Sequence, residues 1–217
     1  MNAVTTGADL VDGLATWIAP KRTAVVVIDI QVDFASPEGA LGAYVDMAVV
    51  QPAVAAAETL VETARANGVP VVFVGLFTTP ETDSPSWKER VRRRGGDPDN
   101  ESALCRDGEV GSEFYGPKPQ PGEIVVKKTR YSGFVGTDLD ARLKALGVDT
   151  LVVAGLTTEC CVDSTVRDAF SLDYHAFVAA DACAAYEADI HEASLKVMEL
   201  NSAILTDTAA IANAWSA

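Results

Sequence analysis

Apolar and polar positions along this chain fall into two rhythms. Ala24-Val25-Val26-Val27-Ile28 is a β-branched run without a polar interruption. It predicts a strand buried on both faces of a parallel sheet. Residues 71–74, 124–126 (running into Lys127-Lys128) and 151–154 read the same way, and 175–180 and 203–206 bring the strands to six. Between them the period lengthens. Helices are predicted over 52–67, which is Ala-rich and stopped by Gly68, over 138–146, closed by Gly147, over 161–170, over 190–200, and from Asp207 onward. Alternating strands and helices predict an α/β fold: a doubly wound three-layer sandwich around a mostly parallel six-stranded sheet. Residues 78–122 break the rhythm. They hold Pro80, Pro85, Pro98, Pro117, Pro119 and Pro121 among many charges, and are expected to form a loop-rich insertion over the sheet that carries substrate contacts. Neither a repeat nor a low-complexity linker is visible, so 1–217 reads as a single domain.

Composition narrows the partners more than the fold. The formal net charge of -14 argues against nucleic acid and anionic membrane, and no apolar run is long enough to span a bilayer. Asp9 and Asp12 interrupt the first twenty residues, no basic residue precedes Lys21, and a secretory signal is not expected there. Cys105, Cys160, Cys161 and Cys183 match neither a disulfide framework nor a zinc spacing. Reduced thiols in a cytoplasmic protein are the expectation.

Ligands of open α/β sheets bind beyond the carboxyl ends of the strands. Three groups with chemistry to offer stand there: Asp29 after the first strand, Lys127 or Lys128 at the end of the third, and Cys161 after the fourth. If those strands are neighbours, the side chains converge. A carboxylate in such a place also serves as a cap or loop anchor, and Asp33 suits that second role. The two lysines point to opposite faces, so only one can serve a site, and spacing leaves the choice open. Cys161 is expected at the first turn of a helix, where the macrodipole favours thiolate and unpaired N–H groups bind an oxyanion. Cys160 beside it leaves a vicinal redox pair as an alternative. Histidine is scarce: His175 starts a strand and His191 falls on a surface-type helix, neither placed near the site, so a Cys-His dyad is not expected. Phe34, Trp87, Tyr131, Phe134 and Tyr186, together with Gln31 next to Asp29, are candidates to line a substrate pocket. The basic block 87–94 is a solvated face, a subunit contact or an anion-binding edge.

Val27-Ile28-Asp29-Ile30-Gln31-Val32-Asp33-Phe34, Lys128-Thr129-Arg130-Tyr131-Ser132-Gly133-Phe134 and Gly155-Leu156-Thr157-Thr158-Glu159-Cys160-Cys161-Val162 occur in that order, each at a strand end. With Ser164-Thr165-Val166-Arg167-Asp168-Ala169 they resemble the isochorismatase-like cysteine hydrolase family over about residues 22–210. The resemblance implies a triad of Asp29, Lys128 and Cys161, and it selects Lys128 over Lys127. It implies a cis peptide before Thr157 and an oxyanion hole from the N–H groups of Thr157 and Cys161. It implies amide or ureido C–N hydrolysis through a thioester, with no metal and no organic cofactor, and assembly as a dimer or tetramer, with 85–94 as a contact. The nicotinamidase branch binds a metal through an aspartate and histidines between the first and third motifs. No histidine precedes His175 here, so no such metal is expected. Isochorismate-cleaving members lack the cysteine, which sets vinyl-ether hydrolysis behind amide chemistry. The Lys-x-Arg-Tyr-Ser-Gly-Phe stretch is most similar to ureidoacrylate and related carbamoyl-amide hydrolases.

Overall fold

The computed structural model describes residues 13–216. Residues 1–12 and 217, and with them Asp9 and Asp12 and the ends of the expected 1–217 domain, lie outside the described residues. Six strands, β1 (Thr23–Ile28), β2 (Val71–Leu76), β3 (Ile124–Lys128), β4 (Thr150–Leu156), β5 (His175–Ala184) and β6 (Ile204–Thr206), form one sheet in the order β3-β2-β1-β4-β5-β6. Every pairing between them is parallel.

Period-2 alternation along the strands divides the interior into two cores. Val25 and Val27 of β1, Phe73 of β2 and Val152 and Ala154 of β4 face one side. There they meet α2 (Gln51–Ala66) through Val54, Ala57, Leu60, Val61 and Ala64, a helical face at spacings of three and four. Ala24, Val26, Ile28, Val72, Val74, Leu151 and Val153 face the other side. They are covered by Leu139 and Leu143 of α5 (Leu139–Leu146), Val166 and Ala169 of α6 (Asp163–Ser171) and Met198 of α7 (Ala188–Asn201). The C-terminal α8 (Thr208–Ser216) sends Ile211 and Trp215 into the first core. Strands buried on both faces are why the sequence shows unbroken apolar runs rather than alternation.

The structure departs from the sequence reading in three places. β5 continues to Ala184, past Asp181, because a register shift against β4 between Val153 and Gly155 lets the strand resume after a polar residue. The helix expected to begin at Cys161 begins at Asp163. Ahead of it Thr158–Val162 forms a wide turn in which Val162 N–H reaches Thr157 O at 3.2 Å. The segment 78–122 is not loop throughout. It contains α3 (Pro85–Arg93) and α4 (Pro98–Glu101), each entered through Pro at N1 with a side-chain cap from Ser84 or Asp97. The short α1 (Val32–Ala35) follows the loop that leaves β1.

Candidate active site

The chain runs from β1 outward to β2 and β3, then returns to place β4 on the other side of β1. That reversal is a topological switch point, and it opens a crevice at the carboxyl ends of β1 and β4. Asp29 leaves β1 with a left-handed φ of 49°, which turns its side chain into the crevice. Cys161 arrives from the wide turn after β4. Lys128 ends β3, opposite Leu76 of β2, two strand spacings of about 5 Å each from β1. Only a long side chain covers that distance.

Lys128 Nζ lies 2.7 Å from Asp29 Oδ2 and donates to Cys161 Sγ at 3.4 Å and to the Arg130 carbonyl at 2.9 Å. Asp29 and Lys128 are each 1% exposed and Cys161 is 8% exposed. Lys127, one residue earlier, points to solvent and pairs with Asp107 at 2.6 Å, so the alternation of β3 separates the two lysines as expected. Neither Asp29 oxygen receives a well-aligned hydrogen bond from the described residues, and both remain available to a proton.

Burial raises the pKa of the Asp29 carboxyl above the usual aspartate range, although the Lys128 charge and the Cys161 thiol oppose the shift. Burial alone would lower Lys128, but Asp29 and Cys161 outweigh it and hold the ammonium protonated. Cys161 is pushed well above the ordinary thiol value by the neighbouring Cys160, by burial and by Asp29, against the pull of Lys128. This corrects the expectation of a thiolate favoured by a helix dipole. Cys161 stands in the turn before the helix, and a dry site beside a carboxylate keeps the proton on sulfur.

Asp29 and Cys161 line a cavity of about 530 Å³, and Lys128 contacts both of them without being part of the lining. Phe34, Trp87, Tyr131 and Tyr186 line it, and Tyr186 Oη donates to the Phe34 carbonyl at 2.8 Å. Thr157 and Cys160 line it too, and the Leu156–Thr157 peptide is cis. Among the described residues the Thr157 N–H has no acceptor.

Two expected pocket residues do not line the cavity. The Gln31 amide is consumed as a brace: Nε2 donates to Leu76 O at 2.9 Å and Ser112 O at 2.8 Å, and Oε1 accepts from Leu76 N–H at 2.8 Å. Phe134 turns away into the second core, 5.9 Å from the Tyr174 ring. Asp33 is an anchor, accepting from Ala40 N–H at 3.0 Å and Cys105 N–H at 2.7 Å. His191 corrects a second expectation. Its Nδ1 is 2.8 Å from Thr158 Oγ1, so it touches the turn that carries Cys161 without entering the cavity.

Sequence reasoning missed Asp83, Glu101, Arg130 and the leucines Leu41, Leu76 and Leu104, all of which line the cavity. Asp83 is buried under Arg106 at 2.6 Å and Lys88 at 3.2 Å, a contact between distant positions that no local pattern announces. A second depression of about 550 Å³, around Trp17, Tyr174 and Phe177, is more open and has none of this chemistry.

Among the described residues no three His, Cys, Asp or Glu side chains are grouped to hold a metal ion, and no helix is long and apolar enough to cross a membrane. Residues 23–210 match the isochorismatase domain. The chain belongs to the isochorismatase family. Within this family it is 36% identical over 208 residues to the ureidoacrylate amidohydrolase RutB of Methylobacterium radiotolerans, covering 90% of this chain and 80% of that protein. The crystal structure of a cysteine hydrolase from Pseudomonas syringae pv. phaseolicola 1448A superposes with a TM-score of 0.81 at 30% identity, covering 92% of this chain and 95% of the other. N-carbamoylsarcosine amidase from Thermoplasma acidophilum superposes with a TM-score of 0.69 at 31% identity, covering 86% and 96%. The six-stranded parallel sheet is thus the isochorismatase-family sheet, and the crevice at its switch point is where this member gathers its reactive groups.

Proposed function

We propose that this chain is a cysteine-dependent amidohydrolase that cleaves an amide or ureido C–N bond through a thioester, with Asp29, Lys128 and Cys161 as its triad. The observation that carries the reading is the Lys128 ammonium lying between a buried carboxylate and a buried thiol that both line a mainly apolar cavity. The amidohydrolases among its relatives point to the same bond type. Asp29, with its raised pKa, takes the proton of Cys161 as sulfur attacks the carbonyl carbon. Lys128 balances the charge as the proton moves. The N–H groups of Thr157 and Cys161 hold the oxyanion, each worth about 3 kcal/mol. Collapse breaks the C–N bond, and Asp29 returns the proton to the leaving nitrogen, so that ammonia or an amine departs. A water then gives a proton to Asp29 and its hydroxide to the thioester carbon. The C–S bond breaks and the proton goes back to sulfur. Phe34, Trp87, Tyr131 and Tyr186 shape the cavity around the substrate.

The proposal extends to the whole chain: one domain over 1–217 with the 78–122 segment as its specificity-setting insertion, acting in the cytoplasm as a dimer or tetramer. Light scattering on the purified protein reads the assembly. Vinyl-ether hydrolysis and a Cys160-Cys161 redox module are not favoured by the amidohydrolase relatives. Ammonia and amine release, followed over a panel of ureido acids, primary amides and lactams, tests the chemistry. Cys161→Ala is expected to lose on the order of 10⁴-fold or more in kcat, and Cys160→Ser to keep most of it. A Cys161→Ala enzyme with wild-type turnover would end the scheme.

A further inference from the structure

α3 contributes Ser86, Trp87 and Arg90 to the cavity lining, and the charges on and around this helix are unevenly satisfied. Asp83 is neutralised by Arg106 and Lys88. Arg130 spends Nη1 on the carbonyls of Thr82 at 3.0 Å and Thr129 at 2.6 Å, which holds two loops together. Arg92 and Arg93 pair with Glu89 on the outer face. Arg90 is the one charged residue of that basic block that lines the cavity, and among the described residues it has no carboxylate partner. Glu101, the other carboxylate of the wall, is directed at Gly96 instead. The Arg90 guanidinium lies over the Trp87 ring at 5.4 Å from its centroid, and Trp87 meets Tyr131 edge to face at 6.0 Å. Tyr131 in turn lines the same cavity as Cys160 and Cys161, and burial first, then the neighbouring sulfurs, raises its pKa. An aromatic ladder therefore leads from the reactive sulfur to an uncommitted guanidinium already positioned on an aromatic face.

We propose that Arg90 is the specificity-determining residue that reads a carboxylate on the substrate. The favoured class is a ureido or amide acid in which a short, flat, apolar chain joins the scissile carbonyl group to the carboxylate. The chain lies along Tyr131 and Trp87, and the carboxylate takes the guanidinium fork. This inference rests on the amidohydrolase reading above. Arg90 is an exposed residue where it lines the cavity, and most of the cavity's surface is apolar, so the guanidinium offers little to a neutral acyl chain and a charge-assisted fork to an anion.

The test compares (Z)-3-ureidoacrylate with 1-propenylurea, in which a methyl group replaces the carboxylate, on wild type, Arg90→Gln and Arg90→Lys. Arg90→Gln is expected to cut the preference in kcat/KM for the acid over the neutral urea by about 10- to 100-fold, mostly through KM, and Arg90→Lys to restore part of it. An unchanged preference, or an equal loss on both substrates, overturns the assignment. If wild type cleaves neither compound, the functional reading fails on its own. Calorimetric binding of 3-ureidoacrylate to wild type and Arg90→Gln then decides the role of Arg90, and equal affinities overturn it.

Discussion

Lys128 shows how much one side chain can be asked to do. It is buried, and burial by itself would lower its pKa. Two partners on different elements, Asp29 and Cys161, keep it charged. The same dry surroundings raise Asp29, and Cys160, burial and Asp29 together raise Cys161, so the site favours a protonated sulfur over a free thiolate. A pH dependence follows. Asp29 must be ionised to accept the thiol proton, and its pKa is raised, so kcat/KM should fall with acid at a pH above the ordinary aspartate range. The thiol pKa is also raised, so activity should lie flat through neutrality. A rate that climbs tenfold per unit between about pH 7 and 9 would mean that free thiolate limits turnover, contrary to this scheme. Residue identity was legible here: Asp29, Cys161 and the lysine pair stood out at strand ends. The proton's resting place was not, because it depends on burial that only packing creates. His191 was missed for a related reason, since its contact with Thr158 joins a helix surface to a turn thirty-three residues away.

At the scale of elements, α3 brings Trp87 and Arg90 to the cavity. Its sequence reads as insertion because proline and charge dominate 85–94. Yet Pro85 at N1 and Ser84 at the N-cap are helix-start signals, with Ser84 Oγ accepting from Trp87 N–H at 3.2 Å. Val91 is the one buried residue of the helix, so its place depends on the cap and on the Lys88 and Asp83 contacts more than on a core. Ser84→Ala should therefore cost about 1 kcal/mol of stability. Because Trp87 and Arg90 ride on this helix, it should also raise KM for the preferred substrate several-fold with kcat nearly intact. A kinetic titration that finds KM unchanged would show α3 to be held by other contacts. The wide turn at Thr158–Val162 was equally hidden. Its composition suits a helix start, but Val162 N–H closes on Thr157 O five residues back, and Thr158 Oγ1 meets His191 of a distant helix.

For the molecule as a whole, the Asp29–Lys128 pair ties β1 to β3 across β2 at the end of the sheet. Removing one member of a buried pair leaves the other uncompensated. Lys128→Met is therefore expected to lower unfolding stability by about 3–5 kcal/mol, and the double variant Asp29→Asn/Lys128→Met to recover most of that. Urea unfolding of the three proteins checks this, and a single variant as stable as wild type would show that the pair is not coupled. The sequence by itself determined the six strands, the helices between them, the parallel α/β class and the strand-end residues of the site. Apolar runs and their periods are local properties of the chain, and burial on both faces leaves them no other home. Tertiary structure alone decided that β1 and β4 are neighbours around a switch point, that Gln31 braces while Phe34 lines, that Asp83 disappears under Arg106 and Lys88, and that Arg90 has no carboxylate partner among the described residues. Those outcomes depend on which distant segments meet, and pairing between distant segments leaves no periodic trace in the chain.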